Sequence, residues 1–124
     1  MAVHRISKQA LDVLLGGVLE REETCVIKFY SNTCHLCHNL QPHFEELAGT
    51  EDYANLHFFA FNIEDDPTVA KRLKFQGVPT ISIVKTGSRT PHVRVLGEPE
   101  DPDKHTWYTV GDIKKFLAKE DTNV

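Results

Sequence analysis

One short segment of the chain combines a strand, a turn and two closely spaced cysteines. Thr24–Tyr30 is rich in β-branched and aromatic residues, which favour a strand. Turn-forming and cap-forming residues follow at 31–33, then Cys34 and Cys37, and apolar residues recur at helical spacing beyond them. The segment therefore predicts a buried strand that turns sharply into a helix beginning close to Cys34. The apolar stripe of that helix consists of Leu36, Leu40, Phe44 and Leu47.

Two thiols separated by two residues at the start of a helix can close and reopen a disulfide. Cys34 is expected at the exposed end, where backbone N–H groups and the helix dipole stabilise an anion. A thiol in such a place has its pKa lowered from about 8.5 to roughly 3.5–7.5, and the thiolate is the nucleophile. Cys37 lies beside the apolar stripe and should point inward. We therefore predict that Cys34 attacks a disulfide of a protein partner and that Cys37 resolves the mixed disulfide.

The elements before and after this segment alternate between strands and helices. A short strand is expected at 3–6, and Ser7 can cap a helix that ends near Gly16. The continuous apolar run at 56–63 predicts a strand that is buried on both faces, as in parallel sheets.

The second half of the chain predicts a helix, a hairpin and a closing helix. The third helix should begin at Asp66, with a proline at its first position, and end just before Gly77. Strands at 80–84 and 91–96 form the hairpin, and Thr109 with Asp112 begins the last helix in the manner of a capping box. Together these elements predict an α/β fold with a central mixed β-sheet flanked by helices on both faces.

Composition limits what the chain can be. The 124 residues are expected to form one domain, 1–124. A net charge of −4 without a basic stripe argues against a nucleic-acid surface, and no apolar stretch approaches the roughly 20 residues that span a membrane. The first residues lack the apolar core of a signal peptide, and two of the three cysteines fall in one motif. We expect a monomeric protein of the reducing cytoplasm that needs no metal or cofactor.

Several features, taken in order, resemble the thioredoxin family over nearly the full length. Phe29-Tyr30 precedes the cysteine motif, Pro42 lies five residues after the second cysteine, and Gly97 follows the last strand; residues 62–67 and 77–80 (Gly-Val-Pro-Thr) complete the pattern. The resemblance implies a thioredoxin fold and protein-disulfide oxidoreductase activity. It also implies disulfide-bearing protein substrates and an electron donor of the thioredoxin-reductase or glutathione type.

The resemblance further implies a substrate site beside the cysteines. The bond between Val78 and Pro79 would be cis, which places the Val78 backbone where an extended segment of a substrate can pair as an added strand. The other candidate substrate-facing residues are Tyr30, Thr33, His35, Leu36 and Gly97.

Two neighbouring positions depart from the family. Lys28 stands where the family has a buried aspartate, and Ala60 replaces the lysine that partners this aspartate. Burial lowers the pKa of a lysine, and two alternatives remain open. In one, Lys28 reaches the cleft, where its ammonium favours the thiolate or its neutral amine takes the proton of Cys37. In the other, its stem carries the amine out to solvent.

The motif itself also differs from the family. His35 and Leu36 replace glycine and proline between the cysteines, and Thr33 replaces a tryptophan. A histidine cation would stabilise the Cys34 thiolate further. We therefore hypothesise a couple more oxidising than that of thioredoxin, which lies near about −270 mV. The alternative is that His35 is an ordinary solvated residue.

Other functions fit parts of the sequence. Residues 34–38 match the C-x-x-C-H pattern of covalent haem attachment, and the two cysteines with a histidine could hold zinc. A thioredoxin-like scaffold that binds a partner without redox turnover is a further alternative, with the loop at 97–106 as its attachment surface. Cys25 is expected to be an inert core thiol, and Trp107 is expected to be packed.

Overall fold

Five strands among residues 2–122 pair into a single sheet. The computed structural model describes residues 2–122. The strands are β1 (Val3–Arg5), β2 (Thr24–Tyr30), β3 (His57–Asn62), β4 (Thr80–Lys85) and β5 (His92–Val95). Their order across the sheet is β1-β3-β2-β4-β5. β1, β3 and β2 run parallel to one another, whereas β4 is antiparallel to β2 and β5 is antiparallel to β4.

In the described part of the chain, four α-helices accompany the sheet. They are α1 (Lys8–Leu15), α2 (His35–Ala48), α3 (Val69–Leu73) and α4 (Val110–Thr122). Ser7 caps α1 as predicted, because its side chain accepts a hydrogen bond of 3.1 Å from the backbone N–H of Ala10. Within residues 2–122, no helix has both the length and the apolar character that crossing a membrane requires.

The alternation of side chains along β2 divides the core into two clusters. Val26 packs with residues of α2 and α4, among them Phe44 and Ile113. Ile27 packs with α1 and α3 on the opposite face, through Leu11 and Val69. Helices therefore cover both faces of the sheet, which confirms the predicted α/β architecture. The even-numbered residues of β2 point toward α2, and this decides where Lys28 lies.

The third helix is shorter than the sequence predicts. It covers Val69–Leu73 only, so the predicted start at Asp66 and the end just before Gly77 are wrong. The Asp66 carboxylate accepts hydrogen bonds from the backbone N–H and the hydroxyl of Thr68, which hold the preceding turn outside the helix. Lys74 then adopts the left-handed conformation, with φ 62°, and ends the helix.

The last helix begins as the sequence predicts. The Thr109 hydroxyl accepts a hydrogen bond of 3.1 Å from the N–H of Asp112, and the Asp112 carboxylate accepts one of 2.9 Å from the N–H of Thr109. This reciprocal pair satisfies two backbone donors at the helix start. The strand expected at 56–63 is β3, whose first residue, His57, is exposed rather than buried.

Candidate active site

The two cysteines lie where β2 leads into α2. Cys34 is the N-cap residue of α2, and Cys37 lies in its first turn. They form a disulfide with their Cα atoms 5.2 Å apart. Cys34 is half-buried, whereas the side chain of Cys37 is only 2% exposed. One sulfur is therefore reachable and the other is sheltered, as the apolar stripe of α2 predicts.

The start of α2 favours negative charge on Cys34. Its Sγ accepts a hydrogen bond of 3.0 Å from the backbone N–H of Cys37, so a sulfur atom caps the helix. The cap is thus Cys34 itself rather than one of residues 31–33. Free N–H groups and the positive end of the helix dipole stabilise an anion at this position, and they would lower the pKa of the reduced thiol.

Lys28 is buried on the face of β2 that points toward α2. Its side chain is 4% exposed, which disagrees with the alternative that carries the amine to solvent. Across the sheet it pairs with Ala60 of β3 and with Ile81 of β4. Its Nζ lies 5.7 Å from the ring centres of both Tyr30 and Phe44.

The surroundings of Lys28 disfavour its charged form. Burial lowers the pKa of its amine to about 8, while the nearby Glu45 carboxylate acts in the opposite direction. Among the described residues, no hydrogen bond and no ion pair involves Nζ of Lys28. The departure from the family therefore leaves an amine that faces two aromatic rings and the cavity instead of a carboxylate.

A cavity of about 310 Å³ lies on this side of the disulfide. It joins residues from β1, β2 and α2, together with Ala60 of β3. Both cysteines and Lys28 line it, so the sulfur atoms and the amine face the same cavity. The lining residues are Val3, Arg5, Lys28, Tyr30, Ser31, Asn32, Cys34, Cys37, His38, Gln41, Phe44, Glu45 and Ala60.

A separate groove of about 750 Å³ contains the residues around Val78 and Pro79. The peptide bond between these two residues is cis, as the resemblance implies. Leu36 of α2 and Gly97 lie along the same groove, but neither cysteine lines it. The backbone next to Pro79 is fixed by a hydrogen bond from the Thr80 hydroxyl to the carbonyl oxygen of Gly77.

All but two of the predicted site residues line one of these two spaces. Tyr30 lies in the cavity with Lys28 and the cysteines, and the groove contains Leu36, Val78, Pro79 and Gly97. Thr33 and His35 are exposed and line neither space. The redox hypothesis for His35 and the substrate role of Thr33 stay predictions.

Some residues at the site were not predicted from the sequence. Trp107 packs against the core as predicted, but it also lines the groove that contains Val78. Its φ of 67° and its backbone pairing with Asp103 set its position, and neither is visible in a sequence pattern. Glu45 lies on the polar side of α2, where a charged residue normally indicates only solvent exposure.

Asn32 ties the active-site turn to the end of β3. Its backbone N–H donates a hydrogen bond of 2.8 Å to the Glu64 carboxylate, and its side-chain oxygen accepts one of 2.8 Å from the amide of Asn62. Both partners belong to the segment 62–67 that resembles the family. This segment therefore helps to position the turn that presents Cys34.

Comparison with known proteins identifies the family. The thioredoxin family model matches residues 6–102. The chain belongs to the thioredoxin family. A thioredoxin of Ictalurus punctatus is 28% identical over 89 residues, which cover 72% of this chain and 81% of that protein. Mitochondrial thioredoxin-3 of Saccharomyces cerevisiae is 27% identical over 71 residues, which cover 57% of this chain and 54%, about half, of that protein.

Solved structures show the same fold. Mitochondrial thioredoxin 3 of Saccharomyces cerevisiae in its oxidised form superposes with a TM-score of 0.64 at 17% identity, covering 95% of each chain. The Trx4 domain of ERdj5 superposes with a TM-score of 0.72 at 15% identity, covering 100% of this chain and 99% of that chain. The predicted thioredoxin fold is thus confirmed.

The family and the bonded cysteine pair together establish the chemistry. A member of the thioredoxin family with Cys34 and Cys37 in disulfide contact is a thiol–disulfide oxidoreductase, which confirms the predicted reaction class. Within residues 2–122, no three histidine, cysteine, aspartate or glutamate side chains are placed to hold a metal ion together. The buried Cys25 has a pKa raised to about 11 by its burial, in keeping with an inert core thiol.

Proposed function

We propose that the protein exchanges disulfides with other proteins and that Cys34 is its nucleophile. The observation that carries this proposal is the position of Cys34 at the N-cap of α2, where its Sγ accepts the N–H of Cys37. A half-buried sulfur at a helix start is both reachable and favoured as a thiolate. Cys37, which is sheltered, takes the resolving role.

The exchange proceeds in two steps that transfer two electrons. The Cys34 thiolate attacks one sulfur of the substrate disulfide, that disulfide breaks, and its other sulfur leaves as a thiolate. The Cys37 thiolate then attacks Sγ of Cys34 in the mixed disulfide. The second substrate thiolate departs, and the bond between Cys34 and Cys37 closes. The substrate is reduced, and the protein is left oxidised.

The groove beside Val78 is the proposed binding site for the substrate polypeptide. The groove runs along residues 74–80 and 95–98, which suits an extended segment. Its lining includes the apolar side chains of Leu36 and Trp107. The backbone of Val78 can pair with such a segment as an added strand. Backbone pairing depends little on side chains, so the proposed substrates are varied proteins that carry accessible disulfides.

Lys28 is proposed to act on the second step through the charge of its amine. An ammonium group in the cavity that Cys37 also lines favours the Cys37 thiolate over the thiol. In this role Lys28 is a positioning residue that replaces the acidic group of the family. The effect depends on its protonation and should therefore weaken above the amine pKa of about 8.

Insulin reduction with dithiothreitol as the electron source tests the proposed function. We expect Cys34→Ser to abolish turnover and Cys37→Ser to accumulate the mixed disulfide. Cys25→Ser, which removes the buried third thiol, should retain full turnover. Iodoacetamide should also modify Cys34 of the reduced protein at pH 6 faster than it modifies a free thiol. Turnover that survives in Cys34→Ser would contradict the proposal.

A reducing compartment such as the cytoplasm is the proposed location, with the protein acting as a monomer. The proposed electron donors are a thioredoxin reductase or a small thiol of the glutathione type. Fractionation of cells that express the tagged protein tests the location, and sedimentation of the purified protein tests the monomeric state. Recovery in an oxidising compartment would contradict the first proposal.

A further inference from the structure

The cavity and the groove are not equivalent as routes to the disulfide. Cys34 and Cys37 both line the cavity of about 310 Å³, whereas neither of them lines the groove beside Val78. A reactant in the cavity would therefore meet the sulfur atoms without occupying the polypeptide groove. The proposed function uses the groove and leaves the cavity without a ligand.

The size of the cavity points to a small molecule. Pockets for small ligands have volumes of about 300–1,000 Å³, so this cavity is at the lower end of that range. Its lining combines the apolar rings and chains of Val3, Tyr30, Phe44 and Ala60 with polar and charged side chains, which are Arg5, Lys28, Ser31, Asn32, His38, Gln41 and Glu45. Apolar walls together with polar groups that can fix the orientation of a ligand are typical of a small-ligand site.

Lys28 supplies the group that would orient such a ligand. Its side chain is 96% buried (4% exposed), and Nζ makes no hydrogen bond or ion pair among the described residues. Its ammonium group lies over two aromatic rings, and a carboxylate placed beside it would add a strong charge-assisted hydrogen bond. Arg5 lies in the same lining, although its guanidinium already pairs with Asp65 at 3.1 Å.

Glu45 limits which anions the cavity accepts. Its carboxylate is close enough to raise the pKa of Lys28, and it lines the same space. Like charges repel, so a ligand with several negative charges is disfavoured. One carboxylate on a short carbon chain, with its reactive end directed toward the cysteines, satisfies Lys28 without placing a second charge near Glu45.

We infer that the cavity binds a small thiol that carries one carboxylate, and that this thiol reduces the Cys34–Cys37 disulfide directly. The inference rests on the proposed oxidoreductase function and names the chemical class of one electron donor. The carboxylate pairs with Lys28, and the thiolate attacks the more exposed sulfur, that of Cys34. The protein disulfide breaks and Cys37 leaves as a thiolate. A second thiol then displaces Cys34, so that two thiols are oxidised to one small disulfide and the protein gains two electrons.

The test compares two thiols on the same carbon chain, one with a carboxylate and the other with an uncharged carboxamide. The rates at which 3-mercaptopropionate and 3-mercaptopropionamide reduce the oxidised protein are measured by acid quench and alkylation. The ratio of the two rates, carboxylate over carboxamide, does not depend on the intrinsic reactivity of the protein disulfide. We expect the ratio for the wild type to exceed the ratio for Lys28→Met by roughly tenfold, as one charge-assisted hydrogen bond predicts. Propionate, which lacks a thiol, should inhibit reduction by 3-mercaptopropionate.

Two further variants make the comparison specific. Lys71→Gln removes one positive charge from the exposed surface of α3, on the other face of the sheet, and should leave the ratio unchanged. Glu45→Gln removes the competing carboxylate and should raise the ratio at pH 6, where Lys28, whose pKa is about 8, stays charged. The inference is overturned if the wild type and Lys28→Met have the same ratio. It is also overturned if Lys71→Gln lowers the ratio as much as Lys28→Met does. Insulin reduction with dithiothreitol, which is uncharged, reports the proposed function separately, so either proposal can fail without the other.

Discussion

At the scale of single residues, Lys28 is the most unusual member of the site. It lies in the middle of a central strand, between Ala60 and Ile81 on the neighbouring strands, and it is almost completely buried. Burial lowers the pKa of its amine to about 8. The amine is therefore mostly charged at pH 7 and mostly neutral at pH 9, within a range where redox enzymes can be assayed.

Replacing Lys28 by methionine should slow the second step of disulfide exchange at pH 7. Without the ammonium group the pKa of the Cys37 thiol rises, and one pKa unit corresponds to about a tenfold smaller thiolate fraction. The measurement is the rate of mixed-disulfide resolution in single-turnover stopped flow. The difference between wild type and variant should shrink as the pH rises through about 8, because the wild-type amine then loses its charge. A difference that does not change with pH would indicate that Lys28 acts through packing alone.

At the scale of secondary-structure elements, local chemistry explains where most helices begin and end. Ser7 and the pair Thr109 and Asp112 cap α1 and α4 through side-chain hydrogen bonds. A cap of this kind typically contributes about 1 kcal/mol. The start of α4 also contains Gly111, whose Cβ position is in ordinary contact with the Thr109 hydroxyl at 3.6 Å and meets no closer atom.

Two substitutions at the start of α4 should have opposite effects. Gly111→Ala should raise the free energy of unfolding by about 0.5 kcal/mol, because alanine loses less backbone entropy in a helix. Thr109→Ala should lower it by about 1 kcal/mol, because the N–H of Asp112 loses its acceptor. Urea denaturation monitored by circular dichroism measures both. If the two variants had the same free energy of unfolding, this end of the helix would be frayed and would contribute little to stability.

The sequence was informative wherever one local signal determined the structure. The cysteine motif, the hairpin and the cap of α4 each depend on residues close together in the chain, and each is observed. The third helix was predicted too long because Pro67 and Gly77 are acceptable helix boundaries by themselves. The side-chain bonds of Asp66 and the left-handed Lys74 shorten it, and both depend on conformation rather than on residue type. The cavity was not predicted, since it joins residues from four separate elements.

At the scale of the whole molecule, the sheet separates two core clusters that differ in role. The cluster between the sheet and the helices α2 and α4 surrounds the site, whereas the cluster with α1 and α3 is apolar and contains the inert Cys25. Among the described residues of the sheet, Lys28 is the buried charged residue, and it lies on the side of the first cluster. Its amine lies against aromatic rings, and a buried charge without an ion pair or hydrogen bond lowers the stability of the folded state.

Lys28→Met should therefore stabilise the protein at neutral pH, by about 2 kcal/mol. The folded-state pKa of about 8 lies below the ordinary value of 10.5, so the unfolded chain holds the proton more strongly. The wild type carries the full penalty below pH 8 and loses it progressively between pH 8 and 10.5. The advantage of the variant should fall accordingly when urea denaturation is repeated at pH 7 and pH 10. Lys71→Met, on the exposed surface, should show no such pH dependence.

At the end of the sheet far from the cysteines, the main chains of two loops approach each other closely. Gly17 has a φ of 72°, and a Cβ atom there would lie 1.9 Å from the carbonyl oxygen of Arg89 in the β4–β5 turn. Alanine at this position must push the two loops apart, and we expect Gly17→Ala to lower the thermal midpoint while the reduction potential, measured against glutathione, stays that of the wild type. Such a variant would lower the amount of folded protein in a cell without changing its reduction potential. A cellular phenotype of Gly17→Ala could then be attributed to the smaller amount of the protein.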